Sequence, residues 1–376
     1  MATALSLRSL ALLCGSALLL LGSGQMADAL EKGESILSAI FPSEKYIRAT
    51  IDIANVATIH SSPIVTGVAW SPDGRTLATY SDYGAQIDIW RDNGDHVVGW
   101  RRTGLDIPYP YSSIGFLDNQ ILLTPPDGRT ELSADSAVSF WDLQKGVVDR
   151  NVTGPAPGHG WRANVAQNFT LNTDRSVLAI LTRGWPSLVT VYSSPGWTVE
   201  FMPPSRDFGS ASSIAVSSDG KLLAVGNPSG HVVVYDIKAK RLIQDIAAFV
   251  SPATPVSTIS FSPDGKELVA AVGIAVGGVT VSTPLRTWRI VDGSAGGTFP
   301  DVGLQPIRDV RWSPRGDYIA FATDKGARLW RMKDNSSITL ETASSMALAF
   351  APSGDMLAVG NASRVTIFDM LGYLDR

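Results

Sequence analysis

The sequence predicts an all-β chain built from seven similar four-stranded antiparallel sheets, and three observations carry that expectation. A turn motif, aromatic-Ser-Pro-Asp-Gly-x-x-Leu-Ala, returns along the chain. Each copy leads into an apolar run and then a strand that ends on an aromatic residue. A spare strand at 46–56 precedes the first copy, whereas the last copy stops one strand short of a full unit.

The turn comes first because it dictates a hairpin. Proline at the second position fixes φ, aspartate bonds its own backbone, and glycine takes the conformation that other residues resist. Clear copies start at Trp70, Phe261, Trp312 and Phe350, and the copy at Val216 lacks only the proline and the aromatic. Degenerate copies start at Phe116 and Leu171. The result is seven units, spaced about 46 residues apart, as in an array in which each unit buries its faces against its neighbours.

Strands must flank each turn. The runs at 222–226, 318–322 and 356–360 are apolar without alternation, so both of their faces are buried. The third strand of each unit ends on Trp90, Trp141, Tyr192, Tyr235, Trp288, Trp330 or Phe368. Strands ahead of the turns carry small residues, as at 211–215, 256–260 and 346–349, which suits sheets converging on an axis. The architecture that satisfies all of this is a seven-bladed β-propeller of four-stranded antiparallel blades. The spare strand then completes the last blade, and closure removes the open sheet edges that invite aggregation.

Residues 1–29 hold one early charge, Arg8, then an apolar run from Leu10 to Leu21, and end in Ala27-Asp28-Ala29. This is a secretory signal layout with cleavage after Ala29. The run is about 12 residues where a spanning helix takes about 20; an uncleaved anchor is the alternative. Residues 30–45 form a short segment with Ile36, Leu37, Ile40 and Phe41 at helical spacing, read as a cap on the ring rather than a membrane-binding stretch. The propeller spans 46–376. The expected location is the periplasm or the extracellular space, with no stable membrane insertion after signal removal. Cys14 is the single cysteine, so the mature chain carries no thiol to oxidise.

The Ser-Pro-Asp-Gly turns, the closing Trp141-Asp142 with its relatives Tyr235-Asp236 and Phe368-Asp369, and the period together resemble the WD40-repeat β-propeller family over essentially all of 46–376. The repeats are degenerate. The Gly-His pair that opens a unit appears once, as Gly158-His159, and the aspartate six residues before the closing aromatic survives only as Asp135 and Asp324. The resemblance therefore implies that the family's buried hydrogen-bonded tetrad is mostly missing. The run from Trp312 also looks, more weakly, like the repeats of TolB-type periplasmic propellers. Resemblance at this level speaks to fold; propellers host scaffolds, hydrolases, lactonases and dehydrogenases alike.

The 31 Lys and Arg against 35 Asp and Glu give a net charge of -4, which offers no electrostatic footprint for nucleic acid. With Cys14 alone, intrachain disulfides and thiolate metal sites are excluded. Four histidines, at 60, 96, 159 and 231, show no metal-ligand spacing, and neither a nucleophile elbow nor a phosphate loop occurs. No catalytic residue, cofactor or metal is expected.

Loop lengths point elsewhere. In a WD-type propeller one face is built from the connections into each unit and those after its second strand, and here those connections grew, at 106–111, 151–167 and 203–208 and at 80–83, 124–136 and 183–185. Their Tyr83, Tyr109, Tyr111, His159, Trp161, Arg162, Arg183, Trp185, Arg206 and Phe208 match the composition of interface hot spots. The competing reading is that such loops bury their own aromatics to stay ordered. The expected function is an exported, non-enzymatic interaction scaffold that binds a protein partner through this face, centred on units two to four. The alternative is a propeller enzyme of hydrolase or lactonase type with its site in the central channel.

Overall fold

The computed structural model describes residues 46–53, 64–81, 86–101, 113–125, 136–153, 166–182, 187–249, 254–273, 285–299, 306–341 and 343–374. Seven four-stranded antiparallel sheets follow one another in chain order. Blade one is β2 (Gly67–Trp70), β3 (Thr76–Ser81), β4 (Gln86–Arg91) and β5 (His96–Arg101). Blade two is β6 (Gly115–Phe116), β7 (Ile121–Thr124), β8 (Ser136–Asp142) and β9 (Val147–Thr153). Blade three is β10 (Ala166–Leu171), β11 (Val177–Thr182), β12 (Val189–Ser193) and β13 (Thr198–Phe201); blade four is β14 (Ser213–Val216), β15 (Leu222–Gly226), β16 (His231–Asp236) and β17 (Arg241–Ala247). Blade five is β18 (Val256–Phe261), β19 (Glu267–Val272), β20 (Leu285–Arg289) and β21 (Ala295–Thr298); blade six is β22 (Ile307–Trp312), β23 (Tyr318–Thr323), β24 (Gly326–Arg331) and β25 (Ser337–Glu341).

Blade seven takes three strands from the end of the chain, β26 (Ser345–Phe350), β27 (Met356–Asn361) and β28 (Arg364–Asp369), and its outer strand from the beginning, β1 (Ile47–Asp52). The expected closure is therefore present, with β1 hydrogen-bonded beside β28. One short helix, α1 (Leu371–Leu374), follows. The readings of 1–29 as a signal and 30–45 as a cap lie outside the described residues.

The turns form as their residue types require. In blade one the Ser71 hydroxyl donates to Asp73 Oδ1 at 2.6 Å and accepts the Thr76 amide at 3.0 Å, while Gly74 sits at φ 70°. Blades four and five repeat this with Ser217 and Asp219 and with Ser262 and Asp264. The degenerate copy in blade three reaches the same shape with other residues. Asn172 stands in for the serine, accepting the Val177 amide at 2.9 Å, and Arg175 occupies the glycine position at φ 61°. Its strain is offset by bonds from its guanidinium to Thr173 O and, across to blade two, Phe116 O.

Apolar clusters lie between neighbouring blades. One joins Leu181, Val191 and Phe201 of blade three to Ile214, Val225 and Tyr235 of blade four; another joins Ala49, Ile51 and Ile367 of blade seven to Trp70, Leu77 and Trp90 of blade one. The second strands are buried on both faces, as their unalternating sequences required. The first strands line the axis, and their free edges would leave backbone groups unpaired. Small polar side chains of the preceding blade meet them. The Ser213 hydroxyl donates to Val256 O at 2.7 Å, Ser260 accepts the Trp312 amide at 3.0 Å, and Asp309 Oδ2 accepts the Leu348 amide at 2.9 Å. Trp70 Nε1 closes the ring by donating to Ala349 O at 3.0 Å.

The tetrad expected to be mostly missing survives in half-form in two blades. Trp90 donates to Thr79 Oγ1 and Trp141 to Thr124 Oγ1, each at 3.0 Å. In blade six Trp330 instead donates to Asn335 Oδ1, and Asp324 holds Arg308 through two bonds at 3.0 Å.

Candidate functional site

Antiparallel order places the hairpins between first and second strands, and between third and fourth, at one end of the ring. The connections into each blade and those after each second strand lie at the other. Of the ten residues singled out on that second end, Tyr83, Tyr109, Tyr111, His159, Trp161, Arg162, Arg183 and Trp185 lie outside the described residues. Arg206 and Phe208 are described, and the structure separates them.

Both belong to the connection from β13 to β14. Pro203-Pro204 leads into a 3-10 turn, Ser205–Asp207, in which the Asp207 amide donates to Pro204 O at 3.0 Å and the Gly209 amide to Ser205 O at 2.6 Å. Phe208 points inward. It is 4% exposed and packs with Phe201, Val225 and Tyr235 in the cluster between blades three and four. Its side chain is thus a core group of its own loop, which corrects the expectation that it faces a partner: burying a phenyl ring between two sheets holds a proline-rich loop in place.

Polar bonds complete the anchorage. Tyr235 donates its hydroxyl to Asp207 Oδ2 at 3.1 Å, and Asn227 donates to Phe208 O at 3.2 Å. Burial of the Tyr235 phenol, reinforced by the Asp207 carboxylate, pushes its pKa well above the ordinary tyrosine range, so this bond persists across the physiological range. Arg206 points out, its side chain 85% exposed and 3.7 Å from Asp207. Met202, 41% exposed, stands at the start of the same loop. This loop offers a cation and a thioether on a rigid mount.

Among the described residues no group of three or more His, Cys, Asp or Glu gathers as a metal site. Two histidines pair with aspartates, His96 with Asp88 at 3.0 Å and His231 with Asp245 at 2.9 Å. No described helix is long and apolar enough to cross a membrane. Sequence reasoning passed over two exposed arginines of blade six, Arg311 and Arg315, at the hairpin end. Comparing the blades position by position, rather than searching for motifs, is the signal that finds them.

Comparison with known proteins agrees with the architecture. The WD domain, G-beta repeat family matches at residues 54–90 and 302–331, over blade one and blade six. Telomerase protein component 1 of Mus musculus is 24% identical over 313 residues, covering 81% of this chain and 10% of that protein. Its counterpart in Rattus norvegicus is 25% identical over 313 residues, covering 80% and 10%. The chain thus spans about a tenth of the length of these relatives. Repeat matches at blades one and six and tryptophan–threonine bonds in blades one and two fit one architecture: the chain is a seven-bladed β-propeller with WD40-type repeats.

Proposed function

We propose that this protein is an exported, non-enzymatic platform that holds a protein partner against the loop end of the ring, centred on blades two to four. WD40 propellers typically serve as protein-interaction scaffolds, and the asymmetry between the two ends carries the reading. Hairpins such as 71–75 and 92–95 are tight, whereas the connections at 102–112, 154–165 and 202–212 run to a dozen residues or nearly so. Long connections on a rigid ring are where binding residues concentrate, because they add contact area without disturbing the blades. Arg206 and the aromatic and basic residues of the neighbouring loops supply the hot-spot chemistry. Export rests on the layout of residues 1–29.

The test is affinity capture with the full-length chain expressed in its own host, against Trp161→Ala, Arg183→Ala and Arg206→Glu. One protein should be retained by the wild type and lost, or weakened by about tenfold or more, in each variant. The bait should be recovered outside the cytoplasm with Leu30 as its first residue. A partner held equally by all three variants would place binding elsewhere on the ring.

A further inference from the structure

Blade six departs from its siblings at two positions of its first hairpin, and both departures are to arginine. One residue before the turn motif, the other blades carry Ala69, Gly115, Thr170, Ala215, Ser260 and Ala349; blade six carries Arg311. Inside the turn they carry Asp73, Asn119, Asp174, Asp219, Asp264 and Ser353; blade six carries Arg315. The second exchange gives up an aspartate that elsewhere braces the turn through its serine, as Asp73 does for Ser71. Neither arginine is needed to make a blade, since six blades form without one.

The structure mounts both rigidly and leaves their outer ends open. Trp312, between them in sequence, donates its amide to Ser260 Oγ at 3.0 Å and its Nε1 to Gly316 O at 3.3 Å, which pins the hairpin. Arg311 lies on β22, which packs between blades five and seven, yet its side chain is 49% exposed, one residue before the turn motif of the hairpin end. Its Nε meets Asp309 Oδ1 at 3.3 Å, and Asp309 is in turn committed to the Leu348 amide. Arg315 is exposed, with Nε on Ser353 O at 3.0 Å and no ion pair among the described residues. Of the acids on the same two hairpins, Asp355 is engaged by the Ser353 hydroxyl, and Asp317 pairs with neither arginine. Guanidinium groups oriented through Nε present their Nη edge, the fork that matches a carboxylate.

An apolar surface adjoins them. Arg315 and Trp312 line a concavity of about 700 Å³ between blades five and six with Pro263, Ile290 and Val291; its rim also carries Glu267, Arg289 and the Asp264–Lys266 pair at 3.4 Å. Val291 is 86% exposed, where the corresponding turn positions of blades one, two, four and six hold Asn93, Gln144, Lys238 and Lys333. Blade three holds Pro195 and blade seven the half-exposed Leu371 at this position, so Val291 is the most exposed large apolar side chain there, and it lies beside the two arginines where water disfavours it.

We propose that the hairpin end of blade six binds an acidic peptide segment, its carboxylates on Arg311 and Arg315 and an aliphatic side chain in the concavity beside Val291. The site is at the opposite end from the loop platform and stands whether or not that platform binds a partner.

The test is fluorescence anisotropy with the whole protein and a fluorescein-labelled peptide, Glu-Asp-Leu-Glu-Asp-Glu. Arg315→Asp restores the turn residue of blades one, three, four and five, and Arg311→Gln keeps a donor for Asp309, so both variants should melt as the wild type does. The expected result is saturable binding that weakens by about tenfold in each variant and disappears in the double variant. Val291→Ser should weaken the leucine-containing peptide but not its Ser-substituted form. Binding unchanged in the double variant overturns the proposal, as does the absence of saturable binding. Inorganic phosphate forms a second arm: if it displaces the peptide at concentrations where acetate does not, the site takes phosphate and the acidic-peptide assignment fails.

Discussion

At the scale of single residues, Gly99 and Asp88 show how tightly blade one is filled. The Asp88 side chain is fully buried, and one of its oxygens, Oδ1, receives both Gln86 Nε2 and His96 Nε2 at 3.0 Å. A Cβ on Gly99 would stand 2.1 Å from that oxygen. The carboxylate cannot withdraw without losing both donors, so Gly99→Ala should destabilise the fold by about 1–3 kcal/mol, the usual range for overpacking. In an Asp88→Ala background the added cost should fall below about 1 kcal/mol, because the clashing atom is gone. Urea unfolding of the four proteins of this cycle checks it; an undiminished cost would mean that the clash lies with the backbone. Nothing in the sequence announces this pair, since it depends on register between β4 and β5. Phe208 makes the same point: composition marks an aromatic on a long loop, but only packing decides whether the ring faces a partner or the core.

At the scale of elements, β1 has the most to do for its length. It supplies the outer strand of blade seven, buries Ile51 to 2% exposure, and leads to Ile53, whose amide donates to Ser363 O at 2.9 Å and whose side chain is fully buried. Those two isoleucines contribute roughly 1.5–3 kcal/mol each, a large share of a typical stability of about 5–15 kcal/mol. Without them β28 becomes an exposed edge. A chain starting at residue 54 should therefore lose cooperative urea unfolding and elute as aggregates, whereas one starting at Tyr46 should behave as a folded monomer-sized species. Equal behaviour of the two would show that closure contributes little. Elements of this kind were legible because a turn of serine, proline, aspartate and glycine leaves one local geometry open, and because a missing strand at one terminus matched a spare one at the other. Hydrogen bonds between first strands, such as Asp309 to Leu348, were not legible, since they join residues that only the ring brings together.

At the scale of the whole molecule, two populations of carboxylates set opposite responses to acid. Asp88 and Asp309 are buried and Glu341 is half-buried, and loss of hydration holds each above its ordinary value despite donors such as Gln86, the Leu348 amide and the Thr366 hydroxyl. Asp174, Asp264, Asp292 and Asp334 brace exposed turns, and the hydroxyls of Ser176, Ser262, Ser294 and Ser336 with nearby amides hold them below 3.8. Linkage fixes the signs. A raised carboxyl takes up its proton in the native state before it does in the unfolded chain, so the native state gains stability as pH falls from neutrality towards the unfolded values of 3.8 for aspartate and 4.5 for glutamate. A lowered carboxyl contributes stability above 3.8 and loses it as pH falls further through its folded value. The urea midpoint should therefore rise between neutrality and mildly acidic pH and fall again on the far side of 3.8. Replacing the three raised groups together, as Asp88→Asn, Asp309→Asn and Glu341→Gln, should flatten the rising limb and leave the falling one, because the turn aspartates are untouched. A midpoint that declines steadily from neutrality in the wild type would mean that these three carboxyls are hydrated or paired more fully than their surroundings allow.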